Sequence, residues 1–157
     1  MIHITKREDI IFMKAQIMLT VNGSSRKAME FYAEIFQLKF SMTTYGEIPT
    51  DPNNPLCESG KDKIAWGNMT IGDLKINFGD KLSDSSFVHS DNVVLHLAIK
   101  GAEEATRIFN KLKVEGEILE DLHEEFFADI YGRVIDKFGV TWNILGLGSI
   151  AYKNAIS

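Results

Sequence analysis

Few of the side chains that could do chemistry in this sequence stand in a recognised catalytic pattern. His96 lies among apolar residues in the segment 93–99, and an imidazole with an ordinary pKa of about 6.5 can donate a hydrogen bond or accept a proton. Asn77 and Asn143 each interrupt an apolar run. Because asparagine is disfavoured inside strands, two such amides indicate a wet or ligand-bearing sheet face. A buried structural histidine is the alternative interpretation of His96.

The remaining reactive residues give weaker patterns. His123, Glu124 and Glu125 combine an imidazole with two carboxylates, but they fall near a predicted strand junction, which is typical of solvated residues. Cys57 is followed by Glu58, and an acidic neighbour disfavours the reactive thiolate. No serine stands in a nucleophile elbow. The sequence therefore predicts a binding surface rather than a nucleophilic enzyme.

Composition limits the class of protein. The chain has 157 residues, of which 45% are hydrophobic and 25% charged, as expected for one soluble domain. A net charge of −5 without clustered basic residues argues against a nucleic-acid partner. No apolar run approaches the length of about 18 residues that spans a membrane. The single cysteine favours a reducing cytoplasm. We expect a small molecule or a protein as the partner.

Periodicity indicates where the elements that carry these residues begin and end. Residues 15–21 alternate between apolar and polar, which predicts a half-buried strand, and Ser24 is a suitable N-cap for the amphipathic helix that follows. A strand over 38–45 leads into a loop with all three prolines, and we expect residues 47–61 to act as a lid. Strands 63–71 and 74–78 flank a two-residue glycine turn typical of a hairpin.

The same order of elements then repeats. A strand over 93–99, a helix after Gly101 and three further strands make the pattern βαβββ twice, and aligning Gly23 with Gly101 superposes the first strands. The predicted divisions are an N-terminal extension over 1–14, a first module over 15–80, a linker over 81–91, a second module over 92–148 and a C-terminal tail over 149–157. Met13 is a candidate translation start.

One helix covers only one face of a four-stranded sheet. Each predicted module therefore has a second face, which needs a partner or lines a cavity. This second face is where we expect the function to lie.

Several segments carry a family resemblance. They are Leu19–Gly23, Ala28–Tyr32, Met69–Gly72, Glu103–Phe109, Phe126–Val134 and Asp136–Trp142. Together they resemble the PhnB-like branch of the vicinal oxygen chelate superfamily, which has the glyoxalase and bleomycin-resistance fold. The resemblance implies an α+β fold of two βαβββ modules whose sheets curl around a shared cavity, commonly in a homodimer.

Metal-using members of that superfamily hold a divalent ion with four side chains from the first and last strands of the two modules. The residues that alternation places at these positions are Met18, Asn77, His96 and Asn143. A thioether and two amides are poor ligands for such an ion, and only His96 matches a ligand position. We therefore expect no metal and no other cofactor, which disfavours a glyoxalase-type isomerisation.

Two further comparisons with the family follow from the residues. Close relatives often carry His-x-Glu before the glycine hairpin, where this chain has Trp66-Gly67-Asn68, so we expect a stacking and hydrogen-bonding cavity. Older naming links the family to ubiquinone methylation. The sequence has no glycine-rich loop after a strand of the kind that holds a methyl-donor nucleotide.

We predict a metal-free homodimeric protein that binds a small, partly apolar, oxygen-containing molecule. The predicted cavity residues are Met18, Trp66, Asn68, Asn77, His96, Phe127 and Asn143. One alternative is a metal-dependent lyase, isomerase or dioxygenase that uses His96 with His123, Glu124 or Glu125. Another is a structural or regulatory dimer without a ligand.

Overall fold

The computed structural model of the chain describes residues 14–49, 52–53, 58–83 and 85–157. Its helices and strands are β1 (Ile17–Leu19), α1 (Ser25–Phe36), β2 (Ser41–Thr44), β3 (Ile64–Ile71), β4 (Leu74–Phe78), β5 (Leu95–Lys100), α2 (Ala102–Leu112), β6 (Glu117–Glu125), β7 (Ala128–Ile135), β8 (Thr141–Leu147) and α3 (Ser149–Ala155). Residues 1–13 with Met13, Cys57 and part of the predicted lid lie outside the described residues.

The strands form two four-stranded sheets of the same topology. The first has the order β1-β4-β3-β2 and the second the order β5-β8-β7-β6. In each sheet the first strand pairs parallel with the last, and the other pairs are antiparallel. This confirms the α+β fold with two βαβββ modules.

Local sequence explains why α1 begins and ends where it does. The side chain of Ser24 accepts a hydrogen bond from the Lys27 backbone N–H, as predicted for an N-cap. Gln37 ends the helix in the left-handed conformation, with a φ of 54°, and its backbone N–H is bonded to the Ala33 carbonyl. The buried side of α1 includes Ala28, Met29, Tyr32 and Ile35, whose spacing places them on one face.

The helix of each module lies close to its sheet because a glycine faces it. A Cβ atom added at Gly67 on β3 would lie 2.5 Å from the Met29 sulfur of α1. A Cβ at Gly132 on β7 would lie 2.8 Å from the Phe109 ring of α2. The third strand of each module therefore carries a glycine where its helix crosses the sheet.

The two modules share one hydrophobic core. Tyr32 and Phe36 of α1 pack against the buried indole of Trp142 on β8, with ring centroids 5.5 and 5.7 Å apart. A further link runs between the helices, since the Arg107 guanidinium donates a hydrogen bond to the Ile35 carbonyl at 2.9 Å. The modules are thus joined through their helix-bearing sides.

Asp136 ties this core together. Its carboxylate accepts hydrogen bonds from the Tyr32 hydroxyl at 2.6 Å and from the Trp142 indole at 2.8 Å. It also accepts from the backbone N–H groups of Phe138 and Val140. Burial raises the pKa of Asp136 because the charged form loses water, and the four hydrogen bonds oppose this shift. Tyr32 links the first module to this carboxylate of the second.

Several elements differ from the sequence-based boundaries. β1 has three residues, shorter than the predicted segment 15–21, and β6 continues to Glu125, so that His123 and Glu124 lie within a strand rather than at a strand junction. Residues 149–155 of the C-terminal tail form α3, which contacts β5 and β8. In the parts of the chain that the structure describes, no helix is both long and apolar enough to cross a membrane.

Candidate functional site

The face of the first sheet that points away from α1, here called the first open face, carries a row of four side chains. The pairing registers align Met18 with Asn77, Asn77 with Asn68, and Asn68 with Ser41. Ile76 and Phe78, the strand neighbours of Asn77, are buried on the other face. We call these four residues the first row.

Hydrogen bonds and exposed side chains define the chemistry of the first open face. The Trp66 indole donates to Asn77 Oδ1 at 3.2 Å, and Asn77 Nδ2 donates to Gln16 Oε1 at 2.8 Å. Trp66 and Met18 remain 57% and 61% exposed. An exposed indole oriented by an amide offers a flat stacking surface with hydrogen-bonding groups beside it.

The corresponding row of the second sheet carries charge. The registers align His96 with Asn143, Asn143 with Arg133, and Arg133 with Glu120. The Arg133 Nε–H donates to Asn143 Oδ1 at 3.1 Å. His96 is exposed, so the chain by itself does not bury it as a structural histidine. We call these four residues the second row, and the face that carries them the second open face.

Beyond the second row, the second open face is partly covered. Tyr131 and Leu145 pack with Tyr152 of α3. The ring of Phe127, in the turn before β7, lies 5.2 Å from that of Tyr131. A cavity of about 610 Å³ opens where His96 and Tyr152 approach the β3–β4 hairpin of the first module. α3 therefore covers part of the second open face and places the phenol of Tyr152 there.

An imidazole and two carboxylates meet on β6, at the outer edge of this sheet. His123 Nε2 lies 3.3 Å from Glu120 Oε1 and 3.1 Å from Glu125 Oε1. His123 Nδ1 lies 2.9 Å from the Asp121 carbonyl. The Asp121 carbonyl and then the Glu125 carboxylate raise the pKa of His123 by stabilising its charged form. Glu124 is exposed and does not belong to this group.

This group is well separated from His96. β5 and β6 lie at opposite edges of the second sheet, three strand spacings apart. At about 4.8 Å per spacing, this amounts to about 14 Å. A single ion with ligands about 2 Å away therefore cannot join His96 to His123 or Glu125 of the same sheet.

The structure brings the predicted cavity residues into two groups. Met18, Trp66, Asn68 and Asn77 lie together on the first open face. His96 and Asn143 lie side by side on the second, and Phe127 borders it. Arg133 and Glu120, which complete the second row, were missed. The alternation of residues along β7 was an available signal, because Arg133 stands two residues after Tyr131 and so shares its face.

A family model described as 3-demethylubiquinone-9 3-methyltransferase matches residues 13–145. The chain belongs to this family. The chain is also similar to a solved PhnB protein, so the predicted PhnB-like resemblance is confirmed. The two βαβββ modules are those of the glyoxalase fold.

Three relatives illustrate the similarity. Protein YjdN of Escherichia coli is 29% identical over 134 residues, which are 80% of this chain and 90% of YjdN. The structure of PA1353 from Pseudomonas aeruginosa has a TM-score of 0.74 at 24% identity, covering 87% of this chain and all of PA1353. A PhnB protein from Bacillus cereus has a TM-score of 0.70 at 25% identity, covering 85% and 98% of the two chains.

The metal implied by the superfamily does not fit the residues of this PhnB-like chain. The four positions hold the thioether of Met18, the amides of Asn77 and Asn143, and the imidazole of His96. A divalent ion favours carboxylates and several imidazoles. The Arg133 guanidinium beside Asn143 adds positive charge at 3.1 Å, and this charge repels a cation.

Proposed function

We propose that this PhnB-like protein binds a small, partly apolar, oxygen-containing molecule without a metal, and that binding rather than turnover is its function. The observation that carries the proposal is the pair of open faces. They carry exposed aromatic and amide side chains rather than an apolar packing surface. The described residues cover them only in part, through the contact of α3 with the second sheet and the contact of His89 with Thr141. The seven cavity residues predicted from the sequence are the proposed lining.

A homodimer is part of this proposal. Within one chain the modules are joined through α1 and the helix-bearing side of the second sheet, as the contacts of Tyr32 with Asp136 and Trp142 illustrate. Pairing of an open face with that of a second copy would enclose the exposed Trp66 and Met18. We expect a mass of about twice 17.7 kDa by light scattering at micromolar concentration. A monomer at that concentration would contradict this part of the proposal.

The two tryptophans allow a direct test of binding. The Trp66 indole lies on the first open face, while the Trp142 indole is buried against Asp136. We would add a library of small aromatic and polar fragments to chelator-treated protein and follow both indole N–H signals by NMR. Binding at the open face shifts the Trp66 signal and leaves the Trp142 signal in place.

The same experiment separates the alternatives. Fragments that shift the Trp66 signal only after manganese or zinc is added would contradict metal-free binding. If no fragment shifts the Trp66 signal at the highest fragment concentration, the result would contradict a ligand cavity and favour a structural or regulatory dimer. Trp66→Phe removes the reporting indole and identifies its signal.

One observation favours the metal-dependent alternative. Glu120, His123 and Glu125 place three possible ligand atoms within 4.8 Å of one another, and a lyase, isomerase or dioxygenase with its ion at this edge would not need His96. A protonated imidazole between two carboxylates accounts for the same contacts. Zinc titration of wild-type and Glu125→Gln protein distinguishes the two, because only a metal site gives saturable binding that the substitution weakens.

The cytoplasm is the proposed location, because the lone Cys57 is typical of a protein in a reducing compartment. Nucleic acid is not proposed as a partner, given the net charge of −5.

A further inference from the structure

Arg133 occupies a central position on the second open face. It lies on β7, between Asn143 of β8 and Glu120 of β6 in the pairing register. The residue is half-buried. Its Nε–H donates to Asn143 Oδ1 at 3.1 Å. A guanidinium is thus held at a central position of the second open face.

This guanidinium lacks a counter-ion in the described parts of the chain. Glu120, its cross-strand neighbour, instead directs its carboxylate to His123 at 3.3 Å. Elsewhere the chain does pair such groups, as Arg107 with Glu104 at 2.6 Å illustrates. A half-buried cation that has lost part of its water without gaining an anion is costly. A bound anion would remove that cost.

The hydrogen bond from Arg133 also determines which atom of the Asn143 amide can bind a ligand. Because Oδ1 accepts from Arg133, the Nδ2 group is the donor that remains for a ligand. The terminal N–H groups of Arg133 form a planar fork that matches the oxygens of a carboxylate, phosphate or phosphonate. His96 stands beside Asn143 on β5 and can supply a third donor.

We propose that Arg133, Asn143 and His96 bind the anionic oxygen group of the cavity ligand, and that this ligand is a carboxylate, phosphate or phosphonate. This inference rests on the proposed binding function and names the class of its ligand. In the first row, the place of Arg133 is held by the uncharged Asn68. The anionic end of the ligand therefore contacts the second row, and its apolar part is left for surfaces such as Trp66.

The test uses three aromatic probes that differ in their polar group: phenylphosphonate, benzoate and benzyl alcohol. Each is titrated by NMR into the full-length protein, with both tryptophan indoles and the His96 ring as reporters. We expect at least one of the two anions to bind roughly 10-fold more tightly than the neutral alcohol, the scale of a charge-assisted hydrogen bond. The tighter anion identifies a carboxylate or a phosphonate as the source of the charge.

Variants show whether Arg133 causes the preference. Arg133→Gln should remove most of it, and Arg133→Lys should retain part of it because the charge remains but the fork is lost. Arg26→Gln on α1 removes the same charge away from the open faces and should leave binding unchanged. Circular dichroism verifies that each variant is folded.

The outcomes separate this inference from the proposed function. If all three probes bind equally well, or if folded Arg133→Gln keeps the preference for the anion, the anionic class is wrong while cavity binding stands. If no probe perturbs any reporter at saturation, both the class and the cavity are wrong.

Discussion

The two open faces have the same geometry and different chemistry. Each carries one side chain per strand in a straight row, Met18, Asn77, Asn68 and Ser41 in the first module and His96, Asn143, Arg133 and Glu120 in the second. The first row is uncharged, while the second contains a guanidinium, a carboxylate and an imidazole. The two modules thus share equivalent side-chain positions, but the chemical groups at these positions differ.

This difference suggests a division of roles. The first open face, with exposed Trp66 and Met18, suits contact with the apolar part of a ligand. The second, with Arg133 and His96, suits contact with its charged part. The second open face is also partly covered, since α3 packs against β5 and β8 and its Tyr152 packs with Tyr131 and Leu145.

The largest expected effect concerns the link between the modules. Asp136→Asn places an amide N–H₂ where the Asp136 carboxylate accepts hydrogen bonds from Tyr32, Trp142 and two backbone groups. We expect the free energy of unfolding to fall by about 2–4 kcal/mol, because buried donors lose their acceptor. Urea unfolding measures this loss.

The exposed Asp129 on the same strand as Arg133 provides the matched control. Asp129→Asn removes the same charge and should change the free energy of unfolding by less than about 0.5 kcal/mol. Equal effects of the two substitutions would show that Asp136 does not hold the modules together.

The glycine beneath each helix gives the next comparison. Gly132→Ala would place a Cβ 2.8 Å from the Phe109 ring, 2.9 Å from Leu122 and 3.2 Å from the backbone oxygen of Glu120. We expect it to cost about 1–3 kcal/mol in thermal or urea unfolding, because rigid neighbours must move.

Gly67→Ala in the first module should cost less than Gly132→Ala. Its Cβ would mainly meet the flexible end of Met29, which can turn aside. The reverse order would show that the second helix can shift on its sheet more easily than the first.

A third prediction tests the charge difference between the rows. Asn143→Asp puts a carboxylate beside Arg133, where the two would pair and cancel. Binding of phenylphosphonate should weaken roughly 10-fold. Asn77→Asp adds the same charge at the equivalent position of the first row, which has no arginine, and should have a clearly smaller effect. If both substitutions weaken binding equally, the rows do not differ in the way proposed.

The smallest effect is a shift in the titration of His123. The Asp121 carbonyl and the Glu125 carboxylate raise its pKa, so NMR titration of chelator-treated protein should give a value above the ordinary value of about 6.5. Because the folded pKa is the higher one, these contacts stabilise the fold fully below about pH 6.5 and lose their effect as the pH rises through the raised value.

Glu125→Gln tests whether the Glu125 carboxylate contributes to the raised pKa of His123. The pKa of His123 should fall, yet remain raised because the Asp121 carbonyl still contributes. An unchanged pKa in this variant would show that the Glu125 contact does not form in solution.

The sequence predicted the fold and most of the open faces, because alternation along a strand determines which residues share a face. Met18 and Asn77 share the first open face, and His96 and Asn143 share the second, as the alternation predicts; that they line a ligand cavity stays a prediction. The glycines of the last hairpin in each module do not mark equivalent positions: aligning Gly72 with Gly139 would pair Asn77 with Ile144, whereas the strand registers make Asn77 equivalent to Asn143. The β3–β4 turn has two residues and the β7–β8 loop five, so the glycines are not equivalent.

The missed features depend on contacts between distant segments. Among the described residues Arg133 has no counter-ion, and this becomes evident only when Glu120 is seen to contact His123 instead. The packing of Tyr152 on the second sheet depends on where α3 returns to it. The joining of the modules through Tyr32 and Asp136 spans 104 residues of sequence, and no local pattern specifies such a contact.

Metal-free binding is the central claim, and it is tested most directly on protein purified without chelator or affinity tag. Elemental analysis and native mass spectrometry of the same sample give the metal content, the oligomeric state and any retained small molecule. We predict a dimer with far less than one transition-metal ion per chain, and any retained molecule should be an acid. One zinc, manganese, iron or nickel ion per chain would contradict metal-free binding.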